Sequence, residues 1–83
     1  MDERERFIRE NVGSLLSHDR VKAKTQPIGG AWQLHDIESS GLKSRNIEFI
    51  LTLANDAARC LLVEGKINRA TANLSIIEVT ELP

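Results

Sequence analysis

The side chains best suited to chemistry are two histidines, each followed by an aspartate. His18 precedes Asp19, and His35 precedes Asp36. An aspartate can orient a neighbouring imidazole as a base, and both groups bind metal ions. A zinc site needs three or four converging ligands at fixed spacing, whereas the two doublets lie far apart in the chain. The pattern therefore favours surface or helix-capping roles, and we expect no bound metal and no cofactor.

The chain has one cysteine, Cys60, in a run of small and apolar residues. A thiol acts as a nucleophile when a neighbouring base or cation favours the thiolate, and adjacent Arg59 alone does not supply such an environment. The position instead indicates a small, buried apolar side chain. The sequence also contains no Ser-His-Asp order and no phosphate-binding glycine loop. We therefore expect that the protein is not an enzyme.

A short row of basic residues, Arg20, Lys22 and Lys24, alternates with other residues. On an extended strand the three would project from one face, where they could contact phosphates or an acidic partner. Lysines on an exposed edge strand more often prevent unwanted strand pairing. A helix-turn-helix over residues 57–76 fits poorly, because its reading helix would carry one basic residue, Arg69. A nucleic-acid-associated transcriptional regulator that uses these four residues remains the alternative function.

Two helices are predicted from the spacing of apolar residues. The first covers residues 2–16, where apolar side chains line one face at helical spacing. The second covers residues 45–64, with Ser44 as N-cap and Gly65 as the C-terminal stop. Its polar positions form one narrow stripe, so a helix here would be apolar over most of its circumference.

The segments on either side of helix 45–64 are predicted from turn residues and alternation. Pro27-Ile28-Gly29-Gly30 indicates a β-hairpin with arms at 20–26 and 31–37, followed by a loop at 39–41. The C-terminal segment favours a helix at 68–78, although residues 74–82 also fit a strand with a slip at Ile76-Ile77.

Together these elements predict a mainly α fold: a small three-helix domain with a short β-hairpin between helices one and two. The alternative is an α+β fold with a C-terminal strand at 72–82. Eighty-three residues, 41% hydrophobic and 28% charged, suit one domain over residues 1–83. One cysteine, no secretory apolar run and no long apolar stretch favour the cytoplasm and exclude membrane association by a spanning helix.

The apolar circumference of helix 45–64 suggests the function. Such a helix must be covered from more than one direction, and a domain this small has little chain to cover it. The predicted function is a non-enzymatic protein-protein interaction module, a small regulatory or accessory protein that binds a protein partner or forms a homodimer. The predicted interface residues are Phe49, Leu53, Cys60 and Val63, with Trp32 either in the interface or in the core.

Overall fold

The computed structural model describes residues 3–40 and 45–83 of the chain. Three helices come first, and four strands follow: α1 (Glu3–Glu10), α2 (Val12–Ser17), α3 (Asp19–Ile28), β1 (Trp32–Ser40), β2 (Asn46–Asn55), β3 (Cys60–Asn68) and β4 (Leu74–Leu82). The strands form one antiparallel sheet in the order β1-β2-β3-β4. The fold is therefore α+β with more strand than helix, and the mainly α prediction is wrong.

The predicted helix over residues 45–64 is a β-hairpin made of β2 and β3. In β2 every second side chain from Ile47 to Leu53 is buried, and the residues between them are exposed or half-buried. This period of two, together with β-branched and aromatic residues, is the pattern of a strand with one covered face. The polar stripe predicted for the helix included Glu48 and Thr52, which share a face of a strand just as well.

The turn between β2 and β3 explains why the sequence resembled one continuous helix. The side-chain Oδ1 of Asn55 accepts hydrogen bonds from the main-chain N–H groups of Ala57 and Arg59, at 3.0 and 2.8 Å. Ala58 adopts a positive φ of 62°, a conformation usually taken by glycine. The turn therefore contains strong helix formers where a glycine would have marked it.

The first arm of the predicted hairpin, residues 20–26, is helical and lies within α3. The Nδ1 atom of His18 accepts a hydrogen bond of 3.2 Å from the N–H of Arg20, which caps the helix. Gly29 and Gly30 follow the helix with φ of 83° and 84°. The second arm, at 31–37, is confirmed as strand because β1 covers most of it.

The predicted helix over residues 2–16 is confirmed as helical but is divided at Asn11. The Nδ2 group of Asn11 donates to the carbonyl oxygen of Phe7 at 2.8 Å, and α2 begins at the next residue. Three predicted positions, Asp2 in this helix, Gly41 in the loop and Ser44 as N-cap, lie outside the described residues.

The C-terminal helix predicted at 68–78 is also wrong, and the alternative strand at 72–82 is confirmed by β4. The Oδ1 atom of Asn68 accepts from the N–H groups of Ala70 and Thr71, so a tight turn precedes the strand. The pairing of β3 with β4 shifts by one residue where Glu64 pairs with Glu78 and Gly65 pairs with Ile76. Ile77 is therefore the extra residue of a β-bulge, at the slip that the sequence indicated.

All three helices pack on the same face of the sheet and enclose the core. The buried hydrophobic residues come from helices and strands alike: Ile8, Leu15, Val21, Ile37, Ile47, Phe49, Leu51, Leu53, Leu61, Val63, Ile67 and Ile76. None of the three helices that the structure describes is long and apolar enough to cross a lipid bilayer.

Candidate functional site

The candidate site is the sheet face opposite the helices, which we call the open face. Because side chains alternate along each strand, the neighbours of buried residues point to this surface. Its rows of directly paired residues, ordered from β1 to β4, are Gln33-Ala54-Cys60-Leu82, Asp36-Thr52-Leu62-Thr80, Glu38-Ile50-Glu64-Glu78 and Ser40-Glu48-Lys66-Ser75.

Exposed apolar side chains are concentrated on the open face. Among the described residues the most exposed large hydrophobic side chains are Ile50, Ile77 and Leu82, with exposed fractions of 39%, 59% and 36%. Ile50 and Leu82 belong to the open-face rows, and the bulge directs Ile77 to the same surface, where it lines a groove with Ile50. Leu82 lies farther along β4 and lines a separate depression with Cys60. Exposed apolar side chains that share one surface can mark a contact site.

Ile50 and Ile77 lie in a shallow groove of about 380 Å³ that crosses β1 to β4. Three carboxylates, those of Glu38, Glu48 and Glu64, also line this groove. The acidic groove, as we name this depression, therefore combines an apolar floor with negatively charged borders. An apolar centre with a polar rim is the usual anatomy of protein-protein interfaces.

The open face carries a strong local negative charge. Its described rows contain five carboxylates, those of Asp36, Glu38, Glu48, Glu64 and Glu78, and one cation, Lys66, which gives a formal charge of −4. Residues 3–28, which form the helical layer, carry six Arg or Lys and four Asp or Glu, a formal charge of +2. The domain is therefore electrically polarised across the sheet.

Two of these carboxylates face each other across neighbouring strands. Glu64 of β3 is the direct partner of Glu78 of β4. Like charges at directly opposed positions destabilise a sheet. The only cation on the described open-face rows is Lys66, on the next row of β3. Folding alone therefore does not account for the negative charge at this position.

The structure separates the predicted interface residues. Phe49, Leu53 and Val63 are buried under the helices and form no surface patch. Cys60 is half-buried on the open face, between Ala54 and Leu82. A helix over residues 45–64 would place these side chains on one flank. In strands, alternation divides them between the two faces of the sheet.

Trp32 belongs to the helical side of the sheet and packs against the core while half-buried. Its ring lines a small apolar depression with Leu16 and Leu34. Its Nε1 group is enclosed without a hydrogen-bond partner in the described part of the chain. Trp32 therefore lies away from the open face, and its contacts are those of a residue at the margin of the core.

The four predicted phosphate contacts do not form one patch. Because α3 is a helix, Lys22 projects away from the side shared by Arg20 and Lys24. The Nη1 group of Arg20 donates to the carbonyl oxygen of Ile76 at 2.6 Å, which fixes α3 against β4. Arg69 instead lines a depression beside α1, where its neighbours include Glu3 and Glu10 of that helix.

The histidine doublets and the cysteine do not combine into a reactive centre. His18 caps α3, and His35 is the exposed extra residue where the pairing of β1 with β2 shifts. Within residues 3–40 and 45–83, no three His, Cys, Asp or Glu side chains converge closely enough to hold a metal ion. The cross-strand neighbours of Cys60 are Ala54 and Leu82, so neither supplies a base to the thiol.

The open face was not among the sites predicted from the sequence. The alternation of Glu48, Ile50 and Thr52 with buried apolar residues would have indicated it, had this segment been interpreted as a strand. The same holds for the slip at Ile76-Ile77, which places Ile77 in the same groove as Ile50.

The chain was also compared with known protein families, with curated proteins and with solved structures. None of the three comparisons found a match.

Proposed function

We propose that the protein is a non-enzymatic protein-binding module that contacts its partner through the open face. One observation carries this proposal: exposed Ile50, Ile77 and Leu82 share one sheet face, while the helices cover the other. Covering these side chains with a partner would remove apolar area from water, at a gain of about 25 cal/mol per Å². The described open-face rows contain no nucleophile paired with a base, so nothing on this face indicates catalysis.

The partner that we propose is a different protein, because a second copy fits the open face poorly. A two-fold symmetric dimer through this face would oppose two surfaces of formal charge −4. Opposed like charges at an interface cost several kcal/mol and discriminate against the wrong partner. We therefore propose a complex with a different protein through the open face, in place of the homodimer predicted through helix 45–64.

Nucleic acid is disfavoured as the partner on the same electrostatic grounds. Phosphate binding requires converging cations, and the open face is acidic while Arg20 and Arg69 are engaged in separate places.

The single cysteine remains free, as expected for a protein of a reducing compartment, so we propose that the complex forms in the cytoplasm.

Site-specific photo-crosslinking tests the proposed surface. We would replace Ile77 by p-benzoylphenylalanine, irradiate the protein in a lysate of its source organism, and compare the yield with the same probe at Ala23. Ala23 is an exposed position on α3, on the other side of the sheet. We expect one crosslinked partner at position 77 that is not formed at position 23.

An additional substitution makes the result specific to the surface. Ile50→Asp places a further carboxylate in the apolar part of the groove and should reduce the crosslink at position 77 without unfolding the protein. Equal crosslinking at positions 77 and 23, or a yield that Ile50→Asp leaves unchanged, would reject the open face as the binding surface.

A further inference from the structure

We infer that the partner docks a basic amphipathic α-helix on the open face, with an apolar stripe over Ile50 and Leu62 of the two central strands and Lys or Arg residues on both sides of that stripe. This inference rests on the proposed function and specifies the chemistry of the partner. The evidence is the charge and dimensions of the acidic groove.

The dimensions of the sheet suit one helix. Neighbouring strands lie about 4.8 Å apart, so the three spacings from β1 to β4 span about 14 Å. A helix with its side chains is about 10–12 Å across. One helix laid along the strands therefore covers the centre of the face and reaches the carboxylates on both outer strands, Glu38 of β1 and Glu78 of β4.

The arrangement of charges specifies basic residues beside the apolar stripe. Ile50 lies between Glu38 and Glu64 in one cross-strand row, and Glu78 ends that row. Lys and Arg place their aliphatic stems on apolar surface and extend the charged group to its border. Two rows of Lys or Arg would therefore pair with these carboxylates and remove the repulsion between Glu64 and Glu78.

A helix fits this surface better than a strand or a second sheet. A strand would add to a sheet edge, because the main-chain groups inside the sheet are already paired. A partner sheet would cover the full width and strip water from the outer carboxylates, which is costly for buried charges. A single helix leaves Glu38 and Glu78 partly hydrated. Helix-on-sheet packing already occurs on the other face of this sheet, where α1, α2 and α3 lie.

The test uses a synthetic probe. An 18-residue helical peptide would carry leucines at helical spacing with lysines on either side of them. Two control peptides would replace every lysine by glutamate, or keep the composition and scatter the leucines. We expect the first peptide to bind and to shift the ¹H–¹⁵N signals of open-face residues, and we expect the two controls to bind at least tenfold more weakly.

Substitutions in the protein locate the contact. The double variant Glu64→Gln/Glu78→Gln should weaken binding of the lysine peptide about tenfold, and more salt should reduce the difference between variant and wild type. The matched control Glu3→Gln/Glu10→Gln removes two carboxylates from α1 and should leave binding unchanged. Ile77→Ser, which removes an exposed apolar side chain and leaves the charge unchanged, should also weaken binding about tenfold.

The outcomes separate this inference from the proposed function. Equal binding of the lysine peptide and the scattered-leucine peptide, or equal loss in the α1 control, would overturn the helix inference. The same conclusion follows if position 77 crosslinks to a partner but the attached partner segment is acidic or a strand. If the wild-type protein does not bind the lysine peptide and the probe at position 77 gives no specific crosslink, the open face itself is rejected as a binding surface.

Discussion

The two faces of this sheet are built from the same strands and yet are chemically opposite. In β2, Leu51 is completely buried under the helices, and its neighbour Ile50 is 39% exposed. On the helical side apolar side chains meet one another, whereas on the open face they are surrounded by carboxylates. The difference indicates that the inner apolar residues stabilise the domain, whereas the outer ones remain partly exposed to solvent.

The largest expected effect comes from truncating neighbouring side chains on the two faces. Leu51→Ala leaves a cavity in the core and should lower the free energy of unfolding by about 2–5 kcal/mol. Ile50→Ala, one residue earlier in the same strand, should cost only about 1 kcal/mol, because its side chain is partly exposed. Urea denaturation of both variants measures this difference. Equal losses would show that the open face is covered within the domain and would break the comparison.

A smaller effect is expected where the inner face is too crowded for a side chain. A Cβ at Gly65 would lie 2.5 Å from the carbonyl oxygen of Ser75 and 2.9 Å from the ring of Phe49. Gly65→Ala should therefore destabilise the domain by about 1–3 kcal/mol.

Gly13 is the matched control for Gly65, because a Cβ there meets no atom within 4 Å and the residue lies in α2. Gly13→Ala should stabilise the domain by about 0.5–1 kcal/mol. Thermal unfolding of both variants reports the two signs. A neutral Gly65→Ala would contradict the close contact of β3 with Phe49 and β4.

The smallest expected effect concerns the charges of the open face. Glu78→Gln removes one of two directly opposed carboxylates and should raise the free energy of unfolding by about 0.2–1 kcal/mol at low salt. Glu81→Gln breaks an exposed ion pair with Arg59 and should lower it by about 0–1 kcal/mol. Denaturation at two salt concentrations measures both. A loss of stability in Glu78→Gln would indicate that its charge serves the isolated fold.

Local patterns in the sequence were sufficient to predict some of the helices and strands. The first helical segment, the strand after Gly30 and the strand alternative at 72–82 were recognisable, because periodicity and glycine positions act within a few residues. The hairpin of β2 and β3 was not recognisable. Ala57 and Ala58 favour a helix, and the turn depends on the Asn55 side chain and on a positive φ at an alanine.

That one error also hid the candidate site. A helix over residues 45–64 places Phe49 and Leu53 on an outer flank, whereas strand pairing buries both and exposes Ile50. The partner of each strand is set by contacts distant in sequence, such as Ile50 with Glu64 and Glu64 with Glu78. Periodicity within one segment carries no information about these neighbours, so the acidic groove required the structure.

The most direct test of the open face as a binding surface is the crosslinking yield at position 77 in folded Ile50→Asp protein. Ile50 lines the acidic groove together with Ile77 and lies outside the core. The proposal predicts a native ¹H–¹⁵N spectrum for this variant and a crosslinking yield reduced to the level seen at Ala23. A native spectrum with an undiminished yield at position 77 would contradict it.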